Sequence, residues 1–173
     1  MRRGRAGFTL IELLAVLVVV AIIAGVVVLR LSGPMRSARM RDVIGEIASF
    51  DRLTRVEAVE MDRAQALVID LNKGEIARRN SRARDRGGVS LRLPSEFRID
   101  RVRLPGRDAG VGRVEVAFSR LGYAPSYALR IEGPGRVSRW VLFCGLTGEA
   151  VEVEDEKEID EVLGEAARRH DAG

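Results

Sequence analysis

Gly7-Phe8-Thr9-Leu10-Ile11-Glu12-Leu13-Leu14 opens an apolar run, FTLIELLAVLVVVAIIAGVVVL from Phe8 to Leu29, in which Glu12 is the only charge. As an α-helix a run of this length would extend ~33 Å, enough to cross a hydrocarbon core of ~30 Å. A soluble core helix carries polar residues at helical spacing, and this run has none after Glu12, so it reads as a transmembrane helix. Arg2, Arg3 and Arg5 precede it; under the positive-inside bias they stay cytoplasmic and the rest of the chain lies outside. Arg30, Arg36, Arg39 and Arg41 on the far side weaken that bias.

A cleaved secretory signal, a plain signal anchor and a pilin-type leader all begin this way. An ordinary signal peptide has an apolar region of ~7–15 residues and then a small-residue cleavage site. Here the run is longer, and LRLSGPMRSA after it offers no convincing A-x-A site. GFTLIELL resembles the prepilin-peptidase motif of type IV pilins and type II secretion pseudopilins at every core position, with Gly7 before the cut, Phe8 as the new N-terminus, then Thr9, Leu10, Ile11 and Glu12. The resemblance implies cleavage between Gly7 and Phe8 by a prepilin peptidase on the cytoplasmic side, N-methylation of Phe8 and retention of the helix. It also implies an assembly role for Glu12, whose partner would be the N-terminal amine of a neighbouring subunit. A carboxylate inside a membrane helix costs ~2.5–3.5 kcal/mol on insertion scales, which is why it needs a partner. For Glu12 taken alone, the alternative is a place near the interface in the first helical turn, where a carboxylate suits the helix dipole.

Ser32-Gly33-Pro34 breaks the apolar run and is expected to bend the chain at the outer membrane face. Helical periodicity then resumes in Met40, Val43, Ile44, Ile47, Phe50, Leu53 and Val56 or Glu57, with Arg41, Asp42, Glu46, Asp51, Arg52 and Arg55 between them. This predicts an amphipathic helix whose stripe covers a body, with a short coiled coil as the alternative. After Gln65 the period changes from 3.6 to 2. Residues 66–71 and 75–77 form a predicted hairpin with Gly74 at a left-handed turn position. Strands are expected at Val89–Leu93, Phe97–Leu104, Arg113–Ser119 (Val114, Val116 and Phe118 inward), Tyr127–Glu132, Arg139–Cys144 and Glu149–Glu154 (Val151 and Val153 together). Phe97 and Ile99 alternate in one phase and Val102 and Leu104 in the other, which predicts a bulge near Asp100-Arg101. Arg78–Gly88, RRNSRARDRGG, reads as a solvated basic loop.

Two passages, Val116–Tyr123 (VAFSRLGY) and Gly145–Ala150 (GLTGEA), look like the last third of GspH-type minor pseudopilins. There a strand ending in phenylalanine leads to a glycine turn, and a Leu-Thr-Gly turn joins the final strands. Asp51–Gly74 is similar to that domain's passage from helix to first hairpin. The family pattern does not call for Glu154–His170. That stretch follows a run of carboxylates and predicts a helix with Ile159, Val162, Leu163 and Ala166 on one face, either solvated or docked on a partner. Its carboxylates lack the glycine and ligand spacing of an EF-hand.

The composition narrows the function. The chain has 29 Lys and Arg against 25 Asp and Glu, and Arg2, Arg3 and Arg5 account for most of the excess, so no nucleic acid is expected as a partner. The single cysteine, Cys144, excludes an intramolecular disulfide and reads as a buried, inert thiol within Trp140–Cys144. The single histidine, His170, lies close to the C-terminus. There is no phosphate loop, zinc pair or catalytic elbow, so neither an enzyme nor a cofactor or metal is expected. The expected fold is α+β: a long N-terminal helix, half membrane and half amphipathic, packed on a pilin-like antiparallel β-sheet domain. The expected domains are a leader 1–7, a transmembrane helix 8–30, an amphipathic half 31–65, a periplasmic β-domain 66–153 and an acidic helix or tail 154–173. The resemblance implies a minor pseudopilin of the type II secretion system in the inner membrane, with prepilin peptidase and other pseudopilin subunits as partners. A minor pilin of a type IV pilus or DNA-uptake filament, or an uncleaved signal-anchored periplasmic binding protein, are the alternatives.

Overall fold

The computed structural model describes residues 10–80 and 88–171, and the side chains of these except 24–34, 80 and 165–171. Two units are distinguished, Met1–Arg39 and Met40–Gly173. Helix α1, Leu10–Glu60, supplies the described residues of the first and opens the second. The helix runs on through Ser32-Gly33-Pro34, where the sequence predicts a bend. In the first unit every described side chain from Leu10 to Ile23 is exposed, the large apolar ones from 85% at Leu10 to 50% at Val18. No helix among the described residues is long and apolar enough to cross a membrane; the apolar run of the sequence extends beyond the side chains described.

In the second unit, α1 ends where Asp62 takes a left-handed conformation (φ 46°) and the Arg63 N–H donates back to Ala58 O. The hairpin follows as β1 (Gln65–Asp70) and β2 (Glu75–Asn80). Asp70 caps its turn by accepting the Asn72 and Lys73 N–H groups, and Gly74 sits at φ 62° as the turn requires. The Arg113 guanidinium bonded to the Asp70 carboxylate holds its pKa below the usual range. Next come β3 (Ser90–Arg92), β4 (Arg98–Leu104), β5 (Arg107–Ala109), β6 (Arg113–Phe118), β7 (Tyr127–Gly133), β8 (Val137–Phe143) and β9 (Ala150–Val153). They form two antiparallel sheets, β3-β2-β1-β6 and β5-β4-β7-β8-β9. Of these, β5 has no sequence prediction, and the part of the expected basic loop at 81–87 lies outside the described residues. Arg78 and Arg79 belong to β2, and Arg78 pairs with Glu57 at 2.6 Å.

Alternation carries the packing. Val114, Val116 and Phe118 are buried as expected, as are Leu129 and Ile131. The bulge is where the change of phase predicts it: register shifts between Ile99 and Arg101, so Ile99 and Val102 both face inward. These residues and Met40, Val43, Ile44, Ile47 and Phe50 of α1 form one core.

The five-stranded sheet is used on both faces. Opposite the main core, Ala128, Trp140 and Val153, with Leu142 against them, meet Ile159 and Leu163 of α2, Glu156–Asp171. The Asp155 carboxylate caps α2 by accepting the Lys157 N–H at 3.0 Å. The segment is thus docked on its own sheet through Ile159 and Leu163, while Glu156, Glu158, Asp160 and Glu161 stay exposed. Val162 and Val151, expected on buried faces, are 41% and 47% exposed. Ala166 and the His170 side chain lie outside the described residues.

Candidate functional site

Two features place chemistry on this fold. The first is the N-terminal helix surface. Glu12 is the acidic residue of the first turn of α1, flanked by Leu10, Ile11, Leu13 and Leu14, each more than half exposed. Gly7 and Phe8, the expected processing residues, lie outside the described residues. A helix surface apolar on all sides is not stable in water and calls for lipid or for other apolar helices.

The second is a buried polar lock between α1 and the body. Following the three- and four-residue steps on from Ile47 and Phe50 leads to Asp51, Thr54, Arg55 and Ala58, all buried. Leu53 and Val56, which the sequence assigns to the stripe, are exposed, and Glu57 is partly so. The helix keeps its geometric face and changes its chemistry. Arg55 Nε donates to Asp51 Oδ2 at 2.6 Å. Its Nη1 donates to Gly122 O at 3.0 Å and Gly145 O at 2.7 Å, and Nη2 to Cys144 O at 3.3 Å. The Tyr127 hydroxyl donates to Asp51 Oδ1 at 2.8 Å. The Tyr127 ring stacks on Phe143 with centroids 4.7 Å apart, and the guanidinium lies 5.0 Å from the Phe118 centroid. A planar fork with several fixed donors suits this task in a way that lysine would not.

The two turns that meet Arg55 are the glycine turns singled out in the sequence. Gly122 takes φ 78°, and a Cβ there would stand 3.3 Å from Arg55 O. A Cβ on Gly145 would stand 2.0 Å from Ala124 O, so only glycine fits. Cys144, expected to be buried and inert, is only partly buried. Hydrogen bonding from Thr147 lowers its thiol pKa despite partial burial. The outward pleat of the residue after Phe143 is the reason.

Burial, reinforced by the neighbouring Asp51 charge, raises the Tyr127 pKa well above the ordinary tyrosine value. Unfolded, the phenol titrates near pH ~10. The folded chain therefore holds the proton that the unfolded chain releases, so this contribution is complete below about pH 10 and is lost as pH rises beyond it. Tyr127→Phe should flatten that alkaline fall while lowering stability at neutral pH, because Asp51 loses a donor. Urea unfolding at pH 7 and pH 11 checks this; an equally steep alkaline fall in Tyr127→Phe contradicts it.

The family described as the prokaryotic N-terminal methylation motif matches residues 2–28. No curated protein matches the chain in sequence. Among solved structures, the chain is similar to the minor pseudopilin EpsH from the Type 2 Secretion System of Vibrio cholerae, at 14% identity and TM-score 0.47, covering 65% of this chain and 94% of that one. It is also similar to the type IV minor pilin FimU of Pseudomonas aeruginosa, at 12% identity and TM-score 0.48, covering 68% of this chain and 90% of that one. The methylation motif that the chain carries thus runs from Arg2 through Gly7, Phe8 and Glu12 to Val28.

Proposed function

We propose that the chain is a minor pseudopilin of a type II secretion filament. A prepilin peptidase cuts between Gly7 and Phe8, Phe8 is N-methylated, and residues 8–30 anchor the chain in the inner membrane with its body in the periplasm. Its N-terminal helix joins those of neighbouring pseudopilins, Glu12 meeting a neighbour's terminal amine. The working chemistry is assembly, and no cofactor takes part. The observation that carries this reading is the methylation motif at residues 2–28, continuous with a helix whose apolar side chains from Leu10 to Ile23 are all exposed.

A secretion filament is favoured over a pilus by the two sequence passages that resemble GspH-type pseudopilins. Both form glycine turns that receive Arg55, so they are integral to how the body is held. Deleting the gene tests the assignment. Extracellular release of type II cargo should fall at least tenfold and return with the full chain, while surface pili persist. Normal secretion with loss of pili or of DNA uptake would overturn it.

A further inference from the structure

The outer face of the five-stranded sheet carries α2. Across its strands Arg101 pairs with Arg130, Arg130 with Trp140 and Trp140 with Val153, while Arg103 pairs with Ala128 and Ala128 with Leu142. One side of the sheet thus presents a tryptophan and small apolar residues bordered by arginines. Arg103 is the hub: it lies 5.1 Å from the Trp140 ring centroid, bonds Asp160 at 2.8 Å and Asp108 at 3.1 Å, and also bonds Glu156. Arg101 adds a weaker pair with Glu156 at 3.7 Å.

What occupies this face packs apart from the main core. The described part of α2 buries Ile159 and Leu163 there, and these share no cluster with the main core. Grooves of about 340 Å³ and about 420 Å³ run beside the helix, the first against Leu104, Gly106 and Arg107, the second against Arg130, Ser138 and Arg139. The side chains of Glu156 and Asp160 are 46% and 67% exposed, where ion pairs contribute little. A helix of this length is marginal on its own in water. Undocking α2 therefore leaves the main core intact, and it bares a surface of Trp and Arg, the residues that dominate binding hot spots.

We propose that α2 is a displaceable strap and that the face beneath it binds an acidic amphipathic helix supplied by another protein, in the helix-in-groove manner. The chemistry of the ligand is read from the segment seated there: two apolar side chains one turn apart, with carboxylates placed for Arg101 and Arg103. The inference stands independently of the filament reading.

Trp140 is the only tryptophan, so its fluorescence reports on the strap. The experiment uses the full chain in detergent, an Ile159→Asp/Leu163→Asp chain, a chain ending at Asp155, and a labelled peptide of residues 154–171. In the wild type, Trp140 emission should be blue and shielded from acrylamide. In both released chains it should shift red and be quenched several-fold more, with the unfolding midpoint of the body unchanged. The peptide should bind the released chains at least ~100-fold more tightly than the wild type, where the tethered helix competes at an effective concentration in the millimolar range. Arg103→Glu in a released chain should weaken capture at least tenfold. The proposal is overturned if both released chains unfold or keep Trp140 shielded, or if the peptide binds wild type and released chains alike. Equal binding by a peptide carrying the two Asp substitutions would also overturn it, and exchange of α2 between wild-type copies would assign the face to a second copy instead.

Discussion

Arg55→Met should destabilise the body by about 3–5 kcal/mol, the range for stranding one member of a buried ion pair. The substitution keeps most of the side chain's volume, so the loss isolates the charge and its hydrogen bonds. Asp51 would remain fully buried with only the Tyr127 hydroxyl to accept from, and the carbonyls of Gly122, Cys144 and Gly145 would lose their shared donor. Asp51→Leu should cost a similar amount, because the guanidinium is then buried against carbonyls alone. The double variant should be less unstable than the sum of the two, by roughly 2–3 kcal/mol, since neither charge is left stranded. Urea denaturation followed by circular dichroism measures all three. A loss below about 1 kcal/mol for Arg55→Met, or strict additivity in the double variant, would show that the lock is incidental to holding α1 on the body.

The second large effect concerns Glu12. Glu12→Ala should leave the chain in the membrane, because the substitution makes the apolar run more uniform. Incorporation into filaments should fall by roughly 10–100-fold, the equivalent of one charge-assisted hydrogen bond of about 1.5–3 kcal/mol across the subunit boundary. Glu12→Gln should behave nearly as badly, since it keeps shape and loses charge. Cross-linking of membrane-embedded chains to neighbouring pseudopilins gives the readout. Wild-type cross-linking by Glu12→Ala would restrict the carboxylate to a dipole effect in the first turn of α1.

Much of the fold was legible because its periods are clean. The alternation of Val114, Val116 and Phe118, the phase change across Asp100-Arg101 and the left-handed Gly74 each had a single structural answer. The hidden part is where apolarity and geometry part company. Leu53 and Val56 look like core residues and Asp51 and Arg55 like surface ones, yet the helix buries the second pair because its face advances by three and four residues whatever those residues are. A continuation of the spacing from Ile47 and Phe50 would have found Asp51, Thr54 and Ala58. Tyr127, their partner, carried no such signal, because its contact with Asp51 spans 76 residues of sequence. Division of the strands into two sheets was equally illegible, since alternation names the inward residues and not the strand across the core. For α2 the helix was readable from Ile159 and Leu163, but the cover was not. Trp140 belongs to a strand whose other face, Val141 and Phe143, already accounted for its burial pattern.

The central claim is that the chain is processed as a prepilin and retained through its N-terminal helix. The most direct measurement is the mass of the protein isolated from membranes of cells with and without the prepilin peptidase. With the peptidase, residues 1–7 should be absent and Phe8 should carry an N-methyl group; without it, the leader should remain. An intact leader in both strains, or a cut near Ala38, would contradict the account.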